Sequence, residues 1–89
     1  LNAEFAKAYY GRSIAEYNLG QFEDALTDIN VTIVFDANSA EAYNLSGLIR
    51  EKMGKLPEAE TDYAKALLLK PDFEEAKLNL TALRKKLGK

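Results

Sequence analysis

The sequence predicts an all-α domain, an α-solenoid in which five helices stack as antiparallel pairs. Two observations predict it: the chain resembles itself when shifted by 34 residues, and glycine, proline or a capping side chain stands where a helix has to stop or start. The shift lays Ala6 on Ala40, Ala8 on Ala42, Tyr9 on Tyr43, Gly20 on Gly54, Ala25 on Ala59, Thr27 on Thr61 and Asp28 on Asp62, and carries Ala42 to Ala76 and Gly54 to Gly88. The repeated residues are mostly of the types whose size matters in packing, which is why the coincidences carry weight. They divide one domain, residues 1–89, into a repeat over about 6–39, a second over about 40–73 and a closing helix over about 73–87.

Each repeat reads as two helices. The first runs from Ala3 to Asn18 and stops at Gly20, a residue suited to the left-handed backbone beyond a helix end. The second begins near Phe22, where Glu23 and Asp24 complement the helix dipole. Ser39 caps a third from Ala40 to Met53, ended by Gly54, and Pro57-Glu58 opens a fourth that runs to about Leu69. Pro71 breaks the chain; Asp72 with Glu75 has the form of a capping box opening a last helix from Phe73 to about Leu87. Val31-Thr32-Ile33-Val34-Phe35 has the composition of a buried strand. It is assigned to helix, because its repeat equivalent Lys65-Ala66-Leu67-Leu68-Leu69 is strongly helix-forming and a lone strand would leave backbone groups unpaired.

Small residues then predict how the helices meet. Ser13 and Gly47 hold equivalent places on the first helices, and Ala25, Ala59 and Ala66 lie on the second ones, so backbones approach closely while Tyr9, Tyr43, Ile29 and Tyr63 fill the spaces between.

Composition excludes several kinds of chemistry. With 89 residues and 47% apolar side chains there is material for one core only. The absence of cysteine removes thiolate nucleophiles, thiolate metal sites and disulfides, and the absence of histidine removes the commonest general base and metal ligand. No enzyme activity, metal or cofactor is expected. Glu23, Asp24 and Asp28, with Glu58, Glu60 and Asp62, fall mostly on solvated helix faces rather than in a ligating loop. Gly11, Gly20, Gly47 and Gly54 form no phosphate-cradling loop.

A net charge of −2 gives no broad attraction for nucleic acid, and the basic end Arg84-Lys85-Lys86-Leu87-Gly88-Lys89 reads as a last helical turn whose charge suits the dipole. The longest apolar stretch, Val31 to Phe35, cannot insert into a membrane, and Leu1-Asn2-Ala3-Glu4-Phe5 lacks the pattern of a leader. A start at Leu1 points to an excised piece of a longer chain. Localisation is weakly constrained, with lack of cysteine fitting a cytoplasmic, reducing compartment.

The second repeat, through Tyr43, Gly47, Gly54, Ala59, Tyr63, Ala66 and Pro71, resembles a tetratricopeptide repeat. The first resembles it more loosely through Tyr9, Ser13, Gly20, Ala25 and Ile29, with Ala37 in the proline's place. Departures are Arg12 and Glu16 in one repeat and Ser46 and Arg50 in the next, where the family has Leu and Tyr. Side-by-side stacking suggests that Glu16 and Arg50 pair across the joint.

The resemblance implies a right-handed superhelix whose first helices line a concave groove that holds a peptide or protein segment. It maps that groove onto Lys7, Tyr10, Ile14, Tyr17 and Asn18, then Glu41, Asn44, Leu48, Glu51 and Lys52, with Leu78, Lys85 and Lys86 from the last helix. Tyr10, Ile14 and Tyr17 follow helical spacing and form one stripe of side chains suited to an interface. Some family members grip the C-terminal carboxylate of chaperones with lysine and asparagine. Tyr10, Ile14, Leu45, Leu78 and Ala82 stand in those places, with Asn44 out of register, which argues against that ligand.

Two other readings stand beside the scaffold. Val31, Val34 and Leu68 fall where the family exposes polar residues, which suggests a convex face for self-association or assembly into a homo-oligomer. The domain would otherwise serve as a non-catalytic regulatory or substrate-positioning region of a larger enzyme.

Overall fold

The computed structural model describes residues 3–89, so Leu1 and Asn2, with which the leader reading begins, lie outside it. Five helices follow in order: α1 (Ala3–Asn18), α2 (Phe22–Phe35), α3 (Ala40–Lys52), α4 (Leu56–Leu69) and α5 (Glu74–Lys86). The strand-like run Val31 to Phe35 is the last part of α2, as its repeat equivalent required. Packing of an amphipathic face outweighs the modest β preference of those side chains.

The ends of α1, α3 and α5 share one chemistry. Gly20, Gly54 and Gly88 have φ of 79°, 78° and 77°, the left-handed region that side chains disfavour. In each case the next residue's N–H turns back onto the helix: Gln21 to the Glu16 carbonyl at 2.8 Å, Lys55 to Arg50 at 2.8 Å and Lys89 to Arg84 at 2.9 Å. The carbonyls orphaned at a helix end are thereby satisfied. At the start of α3, Ser39 caps as expected, its hydroxyl accepting from the Ala42 N–H at 3.1 Å.

The capping box at Asp72 and Glu75 does not form. Phe73 occupies the cap of α5 without a side-chain bond, and the helix begins at Glu74. Phe73 packs instead with Leu67, Leu69 and Tyr43 around Ala40, Ala66 and Ala76, so its ring is worth more in the core than in the first helical turn.

Antiparallel pairs α1/α2 and α3/α4 stack with α5 against α4. Between the repeats, Ala25 and Ile29 of α2 meet Ala42, Leu45 and Ile49 of α3. Between α4 and α5, Ala59 and Tyr63 meet Leu80 and Leu83. Inside the second repeat α3 and α4 approach closely at Gly47. A Cβ placed on Gly47 would lie 2.5 Å from Cε1 of Tyr63, whose side chain is wholly buried. The small-residue reading of Gly47 therefore holds, and Ser13 does the equivalent work in the first repeat, its buried hydroxyl donating to the Ala25 carbonyl at 2.8 Å.

Candidate functional site

The first helices α1, α3 and α5 run in the same direction, so their N-terminal ends form one end of a groove and their C-terminal ends the other. At the C-terminal end Tyr17, Leu48, Glu51, Lys52, Asn79, Ala82 and Lys86 enclose a pocket of about 310 Å³. At the other end a pocket of about 230 Å³ is lined by Lys7, Tyr10 and Glu41 together with Thr32, Asp36 and Ser39.

Tyr10 and Tyr17 are half-buried, their rings packed on the core cluster formed by α2 and α3. Tyr17 also meets Phe22 edge-on at 5.8 Å. Ile14 between them is more open, at 37% exposure. Both tyrosines therefore contribute to the core while part of each side chain stays open to solvent. Burial first, then the carboxylates of Glu41 and Glu75, raise the Tyr10 hydroxyl above its ordinary pKa, and burial with Glu51 does the same for Tyr17. Both remain neutral donors and acceptors at physiological pH.

Among the expected groove residues, Lys7, Asn18, Glu41, Lys52, Leu78, Lys85 and Lys86 are exposed, while Leu48 and Glu51 are half-buried. Asn44 is different. It is 4% exposed, and its carboxamide oxygen accepts a 3.0 Å bond from Asn79 across the α3/α5 boundary. It therefore ties the closing helix to the stack. Glu51 is similarly committed, accepting from the Tyr63 hydroxyl and from Lys86 Nζ, each at 2.8 Å. Burial would raise its pKa, but these donors outweigh it and hold the carboxylate below the usual range. The same partnership, on top of burial, pushes the Tyr63 hydroxyl up.

Sequence reasoning placed neither Glu75 nor Asn79 in the groove, and named Ala82 there only as a place without a clamp residue. The 34-residue shift was the available signal, since it carries Glu41 to Glu75, Leu45 to Asn79, Leu48 to Ala82 and Lys52 to Lys86.

The expected pairing of Glu16 with Arg50 across the joint is not made. Each of these positions turns toward the second helix of its own repeat, where the shift places an aspartate. Arg50 Nη1 lies 3.3 Å from Asp62 Oδ2, and Ser46 donates to the same oxygen at 2.7 Å. In the first repeat Arg12 grips Asp28 through two bonds of 2.7 and 2.8 Å. Glu16 sits 4.0 Å from Arg12 and leaves its buried Oε1 without a partner among the described residues. A hydrogen bond to Asp28, reinforced by burial, raises the Glu16 carboxyl from 4.5 to about 7, while Arg12 holds Asp28 low.

On the opposite surface Val34 and Leu68 are 79% and 73% exposed, with Val31 half-buried beside them. No helix among the described residues is long and apolar enough to cross a membrane, and no group of three or more acidic side chains there is arranged to hold a metal.

Stacked helix pairs whose first helices share a groove define a helical-repeat protein-interaction module. The chain belongs to the tetratricopeptide repeat family, whose model matches residues 40–73. It is similar to the heat shock protein STI1 of Saccharomyces cerevisiae, 36% identical over 72 residues that make up 81% of this chain and 12% of that protein. Human RNA polymerase II-associated protein 3 is 32% identical over 77 residues, covering 86% of this chain and again 12% of the relative. The chain therefore spans only a small part of the curated relatives it matches. Among solved structures, the Arabidopsis OM64 TPR domain has a TM-score of 0.88 at 32% identity, covering 91% of this chain and 67% of that one. The first TPR of Spaghetti, bound to the HSP90 peptide SRMEEVD, has a TM-score of 0.90 at 28% identity, covering 94% and 67%.

Proposed function

We infer that this chain is a non-catalytic scaffold that holds a peptide or protein segment in the concave groove, on the stripe Tyr10, Ile14 and Tyr17 and the facing Leu48, Glu51 and Lys52. The observation that carries this is the pair of half-buried tyrosines opening into pockets at the two ends of one groove. Rigid amphipathic rings lose little entropy on binding and supply most of an interface's energy. Peptides bound to related domains of the same architecture support the reading.

The places that would grip a chaperone carboxylate hold apolar or aromatic groups here, and Leu45 among them is buried. The ligand is therefore recognised by aromatic and aliphatic contact more than by a cationic clamp. Display of a random peptide library against the immobilised chain tests this. Selected peptides should lose about tenfold in affinity with Tyr10→Ala or Tyr17→Ala, the effect of truncating an interface aromatic. Full affinity in both variants discards the groove, and tight binding of the peptide SRMEEVD discards the exclusion of chaperone tails.

The exposed Val34 and Leu68 support a second reading, a convex face for self-association.

A further inference from the structure

The repeat writes a carboxylate twice toward one end of the groove and an ammonium group twice toward the other, with Lys7 beside the first pair and Glu51 beside the second. Glu41 and Glu75 are equivalent under the 34-residue shift, and so are Lys52 and Lys86. The two carboxylates lie close enough to the Tyr10 hydroxyl to raise its pKa. The two lysines line the pocket beside Tyr17. Among the described residues, Glu75 and Lys52 take part in no ion pair, while Glu41 shares Lys70 at 3.6 Å and Lys86 shares Glu51. The dipoles of the three parallel helices oppose this pattern, each with about half a charge at its end, whereas Glu41, Glu75, Lys52 and Lys86 each carry a full one.

Resting on the groove reading above, we propose that the bound segment is itself dipolar, with a lysine or arginine seated over Tyr10 between Glu41 and Glu75 and an aspartate or glutamate beside Tyr17 at Lys52 and Lys86, so that it enters in one direction only. On both α3 and α5 the acidic and basic residues are eleven positions apart, 41 to 52 and 75 to 86. At about 1.5 Å per helical residue this is roughly 16 Å. An extended ligand advancing about 3.3 Å per residue matches it with charges about five residues apart. A cation at the acidic end gains the face of the Tyr10 ring in addition to the carboxylates. Complementary charge of this kind fixes register and suppresses reversed binding more than it raises affinity.

The experiment is library selection on the wild-type chain and on the exchange variant Glu41→Lys, Glu75→Lys, Lys52→Glu and Lys86→Glu, which reverses both members of each charge pair, each first shown by circular dichroism to be helical. The single variant Lys52→Glu serves if the exchange variant does not fold. Peptides selected by the wild type should carry one basic and one acidic residue about five positions apart in a single order. The exchange variant should select the reverse order, with a preference between a peptide and its charge-swapped counterpart that inverts by about tenfold and shrinks in 0.5 M salt. The single variant should lose the acidic position alone. Binders without charge order, or an unchanged preference in the variants, overturn the dipolar ligand while leaving the groove intact. Failure to select any peptide, or selection unaffected by Tyr10→Ala with Tyr17→Ala, removes the groove reading and this inference together.

Discussion

The same substitution, glycine to alanine, should have opposite effects at two helical positions of this chain. In Gly11→Ala the new methyl meets nothing within 4 Å, so only the helix preference of alanine acts. It should stabilise by about 0.5–1 kcal/mol. In Gly47→Ala the methyl would stand 2.5, 2.7 and 3.0 Å from Cε1, Cδ1 and Cζ of Tyr63. The ring has to withdraw by almost an ångström, yet it is wholly buried and its hydroxyl is held by Glu51 at 2.8 Å. Overpacking of this kind costs about 1–3 kcal/mol. Loosening a hydrogen bond to a charged acceptor adds about 1.5 kcal/mol. Set against the propensity gain of about 1 kcal/mol, the net loss is about 2 kcal/mol. For a domain of this size that lowers the melting temperature by roughly 10 °C, against a rise of about 4 °C for Gly11→Ala. Urea and thermal denaturation followed by circular dichroism measure both. A Gly47→Ala variant as stable as the parent would show that the α3/α4 contact is looser than described and refute the argument.

Glu16→Gln should change the pH profile of stability. A carboxyl raised from 4.5 to about 7 on folding holds its proton better in the folded state, so its contribution falls as pH climbs through that window and stays lost above it. The glutamine variant lacks this decline and should gain on the parent between about pH 4.5 and 7; parallel denaturation midpoints across that range would contradict the assignment. Ala59→Leu inserts a branched side chain at a site with no exposure and should destabilise by about 1–3 kcal/mol or more, read as a lowered urea midpoint. If the convex face mediates self-association, Val34→Ser with Leu68→Ser should abolish any concentration dependence in sedimentation at little cost to stability, since both are largely exposed. A parent chain that stays monomeric at high concentration removes that reading.

The parts of the fold that local chemistry decides were legible in the sequence. A glycine after a helical run, a serine before one and a 34-residue echo each report a backbone requirement, and Gly20, Gly54, Ser39 and the helical assignment of Val31 to Phe35 followed from them. What failed depended on rotation about helix axes. The shift places Glu16 beside Arg50 in a stack, but it does not say that Arg12 and Arg50 each turn to the aspartate of their own repeat. Phe73 has the same lesson on a smaller scale, because a capping signature competes with a ring's affinity for the core and the sequence does not weigh the two. At the site, the α1 stripe is a reading of helical spacing and the α3 charges come from the family resemblance, whereas Asn79 and Asn44 meet across 35 residues through side chains whose directions only the packed structure determines.

The fit between Gly47 and Tyr63 also bears on how the chain avoids misassembly. Two helix pairs of similar length and polarity offer a folding chain the chance to match a first helix with the wrong second helix. The equivalent residues in the other repeat are Ser13 and Ile29. Exchanging partners would thrust the Ser13 side chain into the Tyr63 ring and leave Gly47 opposite the smaller Ile29, trading one good fit for a collision and a void. Complementary bulk across each joint thus acts as a pairing code, selecting the sequence-adjacent partner among modules of one architecture and guarding the array against helix exchange.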